Sequence, residues 1–107
     1  TAQFYLTPHE LAERLAADDS FRENGMKVGG RVVPGSIVKS PGNKEVRFMM
    51  RDTMPSSTAR FAVVYKGIIP DTFTDSVDVV VEGRLDAGNT FQATVLLAKG
   101  PSPAPQT

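Results

Sequence analysis

Five stretches between Met26 and Leu97 place apolar side chains at alternate positions, the period that an extended strand with one buried face requires. In the first, Met26, Val28, Gly30 and Val32 alternate with Lys27, Gly29 and Arg31. Val46, Phe48 and Met50 alternate with Glu45, Arg47 and Arg51 in the second. Phe61, Val63 and Tyr65 share one face of the third, with Ala62, Val64 and Lys66 on the other. The fourth runs through Val77, Val79 and Val81 to Leu85 with Val80 facing the opposite way, and the fifth carries Phe91, Ala93, Val95 and Leu97 on one face. Turn chemistry separates these runs: Pro34-Gly35, Ser40-Pro41-Gly42-Asn43 and Asp86-Ala87-Gly88-Asn89 are rich in residues that accept tight bends. Ile37 and Val38 continue the chain in extended form, and the stretch from Asp52 to Thr58 is polar and loop-like. Gly67-Ile68-Ile69-Pro70-Asp71 interrupts the strands and is expected to start a single helical turn before Phe73. Adjacent glycines inside the first strand, Gly29 and Gly30, predict a bend or bulge of the kind small barrels need at their corners. Together the strands predict an all-β chain, a five-stranded Greek-key barrel of the OB-fold type, because closure removes the edges an open sheet would present. A β-sandwich would need more strands.

A helical period precedes the barrel. Thr7-Pro8-His9-Glu10 is a capping box, in which the Thr7 hydroxyl accepts from the Glu10 backbone N–H and the Glu10 carboxylate reaches back. Pro8 takes the first helical position, where a missing N–H costs nothing. Leu6 and Leu11 flank the cap as a hydrophobic staple, and Leu11 and Leu15 form a stripe with Ala12 and Ala16 beside it. Asp18-Asp19-Ser20 and Gly25 end the segment. The chain therefore divides into an N-terminal segment with a short helix, 1–25, the barrel, 26–99, and a tail, 100–107, whose repeated prolines read as disordered.

Composition narrows the chemistry. A chain of 107 residues holds one core, and without cysteine it has neither a disulfide framework nor a thiolate metal site. Twelve basic and twelve acidic residues cancel, whereas nucleic-acid binders usually carry a basic excess. Apolar runs of a few residues fall far short of the roughly 20 that cross a bilayer. The chain opens at Thr1 without methionine, which reads as a processed or trimmed fragment. The single histidine, His9, has no ligand partners or triad partners near it and reads as an exposed helix-terminal residue. Carboxylates are scattered, and Gly29-Gly30 is not followed by the Lys-Ser/Thr of a phosphate loop. Phe48, Phe61 and Phe91 share faces with aliphatic residues, as core residues do, and Arg47, Arg51 and Arg60 are as well explained by solvated strand faces as by a basic patch. No equipment for an enzyme is visible.

Several segments, in order, resemble the haem chaperone family of cytochrome c maturation, the CcmE family. They are Phe4-Tyr5-Leu6-Thr7-Pro8-His9-Glu10-Leu11, Val28-Gly29-Gly30-Arg31-Val32-Val33-Pro34-Gly35-Ser36, Tyr65-Lys66-Gly67-Ile68-Ile69-Pro70-Asp71 through Phe73, Val79-Val80-Val81-Glu82-Gly83-Arg84-Leu85, and Leu96-Leu97-Ala98-Lys99. The match spans nearly the whole chain before the tail. The resemblance implies the soluble part of a protein anchored by a single N-terminal span on the periplasmic face of the bacterial inner membrane. It implies haem as transient cargo, received from membrane proteins of the maturation system and passed to apocytochrome c, with a monomer acting as carrier and not as enzyme. In that family a histidine, or in some branches a cysteine, directly follows Leu-Ala-Lys and bonds a haem vinyl group, and a tyrosine four residues later ligates the iron. Here Gly100 stands at the attachment position and Ala104 at that of the tyrosine, so neither has the side chain the chemistry needs.

By family position Phe4, Tyr65 and Leu97 are the candidates for an apolar haem platform, and Lys27 and Lys99 for the partners of the propionates. Strand parity puts Tyr65 with Phe61 and Val63, and Leu97 with Val95, so each either lines the barrel mouth or belongs to the core. Two other functions suit the same barrel: a single-stranded nucleic-acid binder, set back by zero net charge and the lack of tryptophan, and a protein-docking domain whose haem site is defunct.

Overall fold

A computed structural model of the protein describes residues 4–99. The tail expected over 100–107, including Gly100 and Ala104, lies outside the described residues. Seven strands form, in chain order β1 (Phe4–Leu6), β2 (Met26–Val32), β3 (Val38–Lys39), β4 (Glu45–Arg51), β5 (Arg60–Lys66), β6 (Asp78–Leu85) and β7 (Thr90–Lys99), with one α-helix, α1 (Pro8–Ala17).

The sheet runs β1-β2-β6-β7-β5-β4-β3 and closes on itself where β2 meets β4, through the pairs Arg31 with Arg51 and Val32 with Met50. The closed part is the expected five-stranded barrel, β2-β6-β7-β5-β4, with β5 and β7 parallel and its other neighbours antiparallel. Two short strands join these five: β1, where no strand was expected, runs parallel to β2, and β3, at the end of the stretch expected to be extended through Val38, pairs antiparallel with β4. Both are too brief to show a period, so only pairing to a longer strand defines them.

The bulge expected at Gly29-Gly30 does not form, since β2 pairs with β6 in unbroken register through both, and closure explains Gly30 instead. A Cβ at Gly30 would lie 2.6 Å from Met50 Cγ and 2.7 Å from the Arg51 carbonyl oxygen, so only glycine lets β4 approach β2 this closely. The interior is filled by Met26, Val28, Val32, Val46, Phe48, Met50, Val63, Val79, Val81 and Phe91, each contributing about 1.5–3 kcal/mol by leaving water. Helix α1 forms as the capping box specifies, Thr7 Oγ1 accepting from the Glu10 N–H at 3.1 Å and Glu10 Oε1 from the Thr7 N–H at 2.9 Å. It packs on β2 and β5 and drives Leu11 fully into the core. A 3₁₀ turn over Asp19–Glu23, capped by Asp18, brings Phe21 to the same cluster. The helical turn expected before Phe73 is a simple turn, its N–H donating to the Pro70 carbonyl at 3.0 Å.

Among the described residues Asp52 is the one buried charged side chain, 2% exposed. Its carboxylate accepts from the N–H groups of Met54 at 2.8 Å and His9 at 2.8 Å, tying the loop after β4 to the first turn of α1. His9 is accordingly half-buried, hydrogen-bonded through Nδ1 to Ser57 Oγ at 3.0 Å with Nε2 3.5 Å from Glu13; it is not the free helix-terminal residue expected. Burial opposes ionisation of Asp52, but those two N–H donors, the Thr7 hydroxyl and the nearby His9 outweigh it and hold its pKa below the ordinary value. A carboxylate stabilised this way supports the fold above its unfolded pKa of about 3.9 and ceases to as pH falls through its lower folded value. Asp52→Ala is therefore expected to cost ~2 kcal/mol at pH 7, leaving buried donors unpaired, and to flatten the loss of stability between about pH 4 and the acid limit. Urea unfolding at several pH values measures both; a variant as stable as the parent at pH 7 would contradict the anchoring role.

Candidate functional site

The outer surface of β2, β6 and β7 is organised in rows, because directly paired residues on adjacent strands face the same way. Gly29, Val80 and Leu97 form the middle row, Lys27, Glu82 and Val95 one flank, and Arg31, Asp78 and Lys99 the other. Strands lie ~4.8 Å apart, so the middle row is about 10 Å long. Tyr5 on β1 lays its ring over Gly29, where a Cβ would touch the ring Cε1 and the hydroxyl oxygen at 3.4 Å each. Both ends of this row are open to solvent, Tyr5 at 61% and Leu97 at 56%, while Val80 forms a covered floor between them. The result is a shallow apolar strip fenced by ion pairs: Lys27 Nζ lies 3.7 Å from Glu82, and Arg31 Nε donates to Asp78 at 2.7 Å. Lys99 makes no ion pair with another described residue. Large exposed apolar side chains beside such cations form the kind of surface that ligands use.

Leu97 reaches this surface through a register fault. Glu82 pairs with Val95 but Gly83 pairs with Ala93, so β7 carries one extra residue, Thr94, opposite the step from Glu82 to Gly83. The inward face changes parity at that bulge: Phe91 and Ala93 point in before it, Leu96 and half-buried Ala98 after it. The single face expected for Phe91, Ala93, Val95 and Leu97 is thus corrected, with Val95 and Leu97 on the outside. Gly83 makes this possible, since a Cβ there would run into the Gln92 carbonyl and meet Ala93 Cα at 3.0 Å.

The structure brings Leu97, Lys27 and Lys99 together and places the remaining candidates elsewhere. Tyr65 points into the barrel, 9% exposed, with its hydroxyl donating to the Ile68 carbonyl at 3.0 Å. Phe4 has the opposite parity to Tyr5 and turns toward the helix, its ring 4.9 Å from that of Phe21 with the Arg14 guanidinium 5.5 Å away. Gly100 follows Lys99 directly and lies outside the described residues. Sequence reading missed Tyr5 and Val80. The signal for Val80 was present in its reversed parity, but that Tyr5 covers Gly29 follows only from the β1–β2 pairing.

A second groove of about 550 Å³ lies by the start of β4, lined by Lys39, Lys44, Ile68, Ile69, Asp71 and Phe73 among others. Of the three arginines the sequence put forward, Arg47 is engaged by Glu45 at 3.2 Å, while Arg51 pairs across strands with Arg60 and with Arg31; Phe48, Phe61 and Phe91 are all buried and offer no stacking face.

Fold and surface together define a class: an OB-type β-barrel that presents an apolar strip on one outer face. The CcmE domain family model matches residues 2–103, and the chain belongs to this family. It is 36% identical over 96 residues to the cytochrome c-type biogenesis protein CcmE of Pseudomonas aeruginosa, aligning 90% of this chain with 60% of that protein. The CcmE of Bradyrhizobium diazoefficiens is 40% identical over 97 residues, aligning 90% of this chain with 52% of its own length. The chain thus spans 52–60% of these two relatives. Among solved structures, the OB-fold domain of the haem chaperone CcmE from Desulfovibrio vulgaris is similar at 35% identity and TM-score 0.64, covering 72% of this chain and 88% of that one. Yeast Stn1 and Ten1, at 13% identity and TM-score 0.66 over 94% of this chain and 64% of that one, share the fold alone.

Proposed function

We propose that this chain is the haem-carrying barrel of a cytochrome c biogenesis protein, holding haem transiently on the Tyr5–Val80–Leu97 strip and delivering it to apocytochrome c. The observation that carries this reading is an apolar row on β2, β6 and β7, open to solvent at Tyr5 and Leu97, whose strand β7 leads on to Lys99, in a chain of the CcmE family. A flat hydrophobic ring with anionic side arms suits an open apolar strip bordered by cations. In this reading the barrel, 26–99, is the carrier, and the N-terminal segment, 1–25, adds Tyr5 to the strip and a short helix that packs on the barrel. Gly100 offers no nucleophile for a vinyl group, so haem is held without a covalent bond to that position. The chain is a monomeric chaperone and not an enzyme. It is presented on the periplasmic face of the inner membrane by an anchor outside the sequence, and it takes haem from membrane proteins of the maturation system.

Titration of the chain with ferric haem, followed by Soret absorbance and by amide chemical shifts, tests this. Saturable binding with shifts centred on Gly29, Val80 and Leu97 is expected. Shifts confined to the Lys39–Lys44 groove, or no binding at all, would favour the docking-domain reading; affinity for an oligonucleotide that falls steeply with salt would favour the nucleic-acid one.

A further inference from the structure

The groove by the start of β4 has walls that the fold holds in place. One wall carries Lys39 and Lys44, on either side of the turn that leads into β4; the other is the chain from Gly67 to Phe73 that leaves β5. The Gly67 N–H donates to the Lys44 carbonyl at 3.2 Å and joins the two. The Tyr65 hydroxyl donates to the Ile68 carbonyl at 3.0 Å, Ile69 packs on the core, and the Phe73 ring lies 5.0 Å from that of Phe48. Ile68 is thereby fixed through its backbone while its side chain stands 88% exposed, more than any other large apolar residue among those described. A pinned isoleucine in water contributes little to folding, and beside half-buried Ile69 it makes an apolar wall rather than a stray side chain. The rim is cationic in a chain whose charges cancel. Lys39 and Lys44 make no ion pair with another described residue. Glu45 is shared between Arg47 at 3.2 Å and Lys66 at 4.0 Å, and Asp71 is the one carboxylate among the lining residues.

We propose that this groove docks an acidic segment of a partner protein, which sets an apolar side chain against Ile68 and Ile69 while its carboxylates meet Lys39 and Lys44. The inference is independent of the haem-carrier reading, whose strip lies on β2, β6 and β7. Shape and charge favour a peptide over a membrane. A recess of about 550 Å³ accepts an inserted side chain, whereas a bilayer presents a broad front. Anionic lipid surfaces are recognised by clusters of roughly four to eight basic residues, and this groove is lined by two. A nucleic-acid strand would need exposed aromatic faces, and the one aromatic lining residue, Phe73, is buried. Because both walls are already held by hydrogen bonds and packing, docking orders little of this chain, which favours affinity.

The test titrates the chain with a capped peptide whose Leu-Leu centre is flanked by glutamates, and with the same peptide carrying lysines in their place, both followed by amide chemical shifts. Phosphatidylglycerol vesicles supply the membrane arm. The acidic peptide is expected to shift Lys39, Asn43, Ile68 and Ile69, and added salt to weaken its binding. It should bind about tenfold less tightly to the Lys39→Glu, Lys44→Glu double variant and to Ile68→Ser. All three replaced residues are exposed, and thermal unfolding checks that the variants fold like the parent. No binding of the acidic peptide, equal binding of the basic one, shifts that fall elsewhere, or an affinity that survives in both variants would overturn the proposal. Capture by the vesicles without a response to the peptide would overturn it too, and assign the groove to lipid.

Discussion

Alanine at Gly83 is expected to destabilise the barrel by about 3 kcal/mol or more, a large share of the 5–15 kcal/mol that holds a domain of this size folded. The cause is steric. The methyl group would occupy the position of the Gln92 carbonyl, with Gln92 C at 2.9 Å and Ala93 Cα at 3.0 Å, and backbone cannot swing aside as a side chain can. Relief would require β6 and β7 to separate at the bulge, breaking ladder hydrogen bonds on both sides of it. Gly25→Ala is the control: nothing lies within 4 Å of a Cβ there, so a change within about 0.5 kcal/mol is expected. Urea unfolding of the two variants reads the contrast, and a Gly83→Ala protein as stable as the Gly25→Ala one would show that the strands do not approach this closely. The consequence reaches the surface, since any pairing that removes the bulge turns Leu97 inward and Leu96 outward.

Leu97→Glu is expected to weaken haem binding tenfold or more while leaving stability within about 0.5 kcal/mol of the parent. At 56% exposure Leu97 contributes little to folding, so its replacement costs the free protein almost nothing. Full burial of a leucine against a ligand is worth about 1.5–3 kcal/mol, and 1.4 kcal/mol is tenfold in affinity. A carboxylate pressed against the ring adds a desolvation cost and repels the anionic side arms. Val38→Glu, at a comparably exposed valine on β3, should leave affinity unchanged. Haem titrations of the two variants separate a local strip from general adhesion to apolar surface. Equal losses in both, or none in Leu97→Glu, would remove Leu97 from the site.

Much of the architecture is legible residue by residue. The alternation from Met26 to Val32 and from Val46 to Met50 declares buried faces, and the capping box fixes the start of α1, because these signals depend only on local geometry. The site was less legible. Tyr65 and Leu97 look equivalent by parity, yet one lies in the core and the other in solvent, since an extra residue in β7 shifts every later side chain by one face. Phe4 and Tyr5 are adjacent aromatics with nothing local to rank them. Pairing of β1 with β2 gives Phe4 to the helix side and Tyr5 to the strip.

By itself, then, the sequence determined that the chain is a five-stranded barrel capped by a short helix, because hydrophobic period, turn residues and helix caps are properties of neighbouring residues. Only the tertiary structure decided which side chains make the surface. Bulges and strand pairing are settled by contacts between distant segments, such as Gly83 with Gln92 and Gly29 with Tyr5, and a shift of one residue exchanges inside for outside.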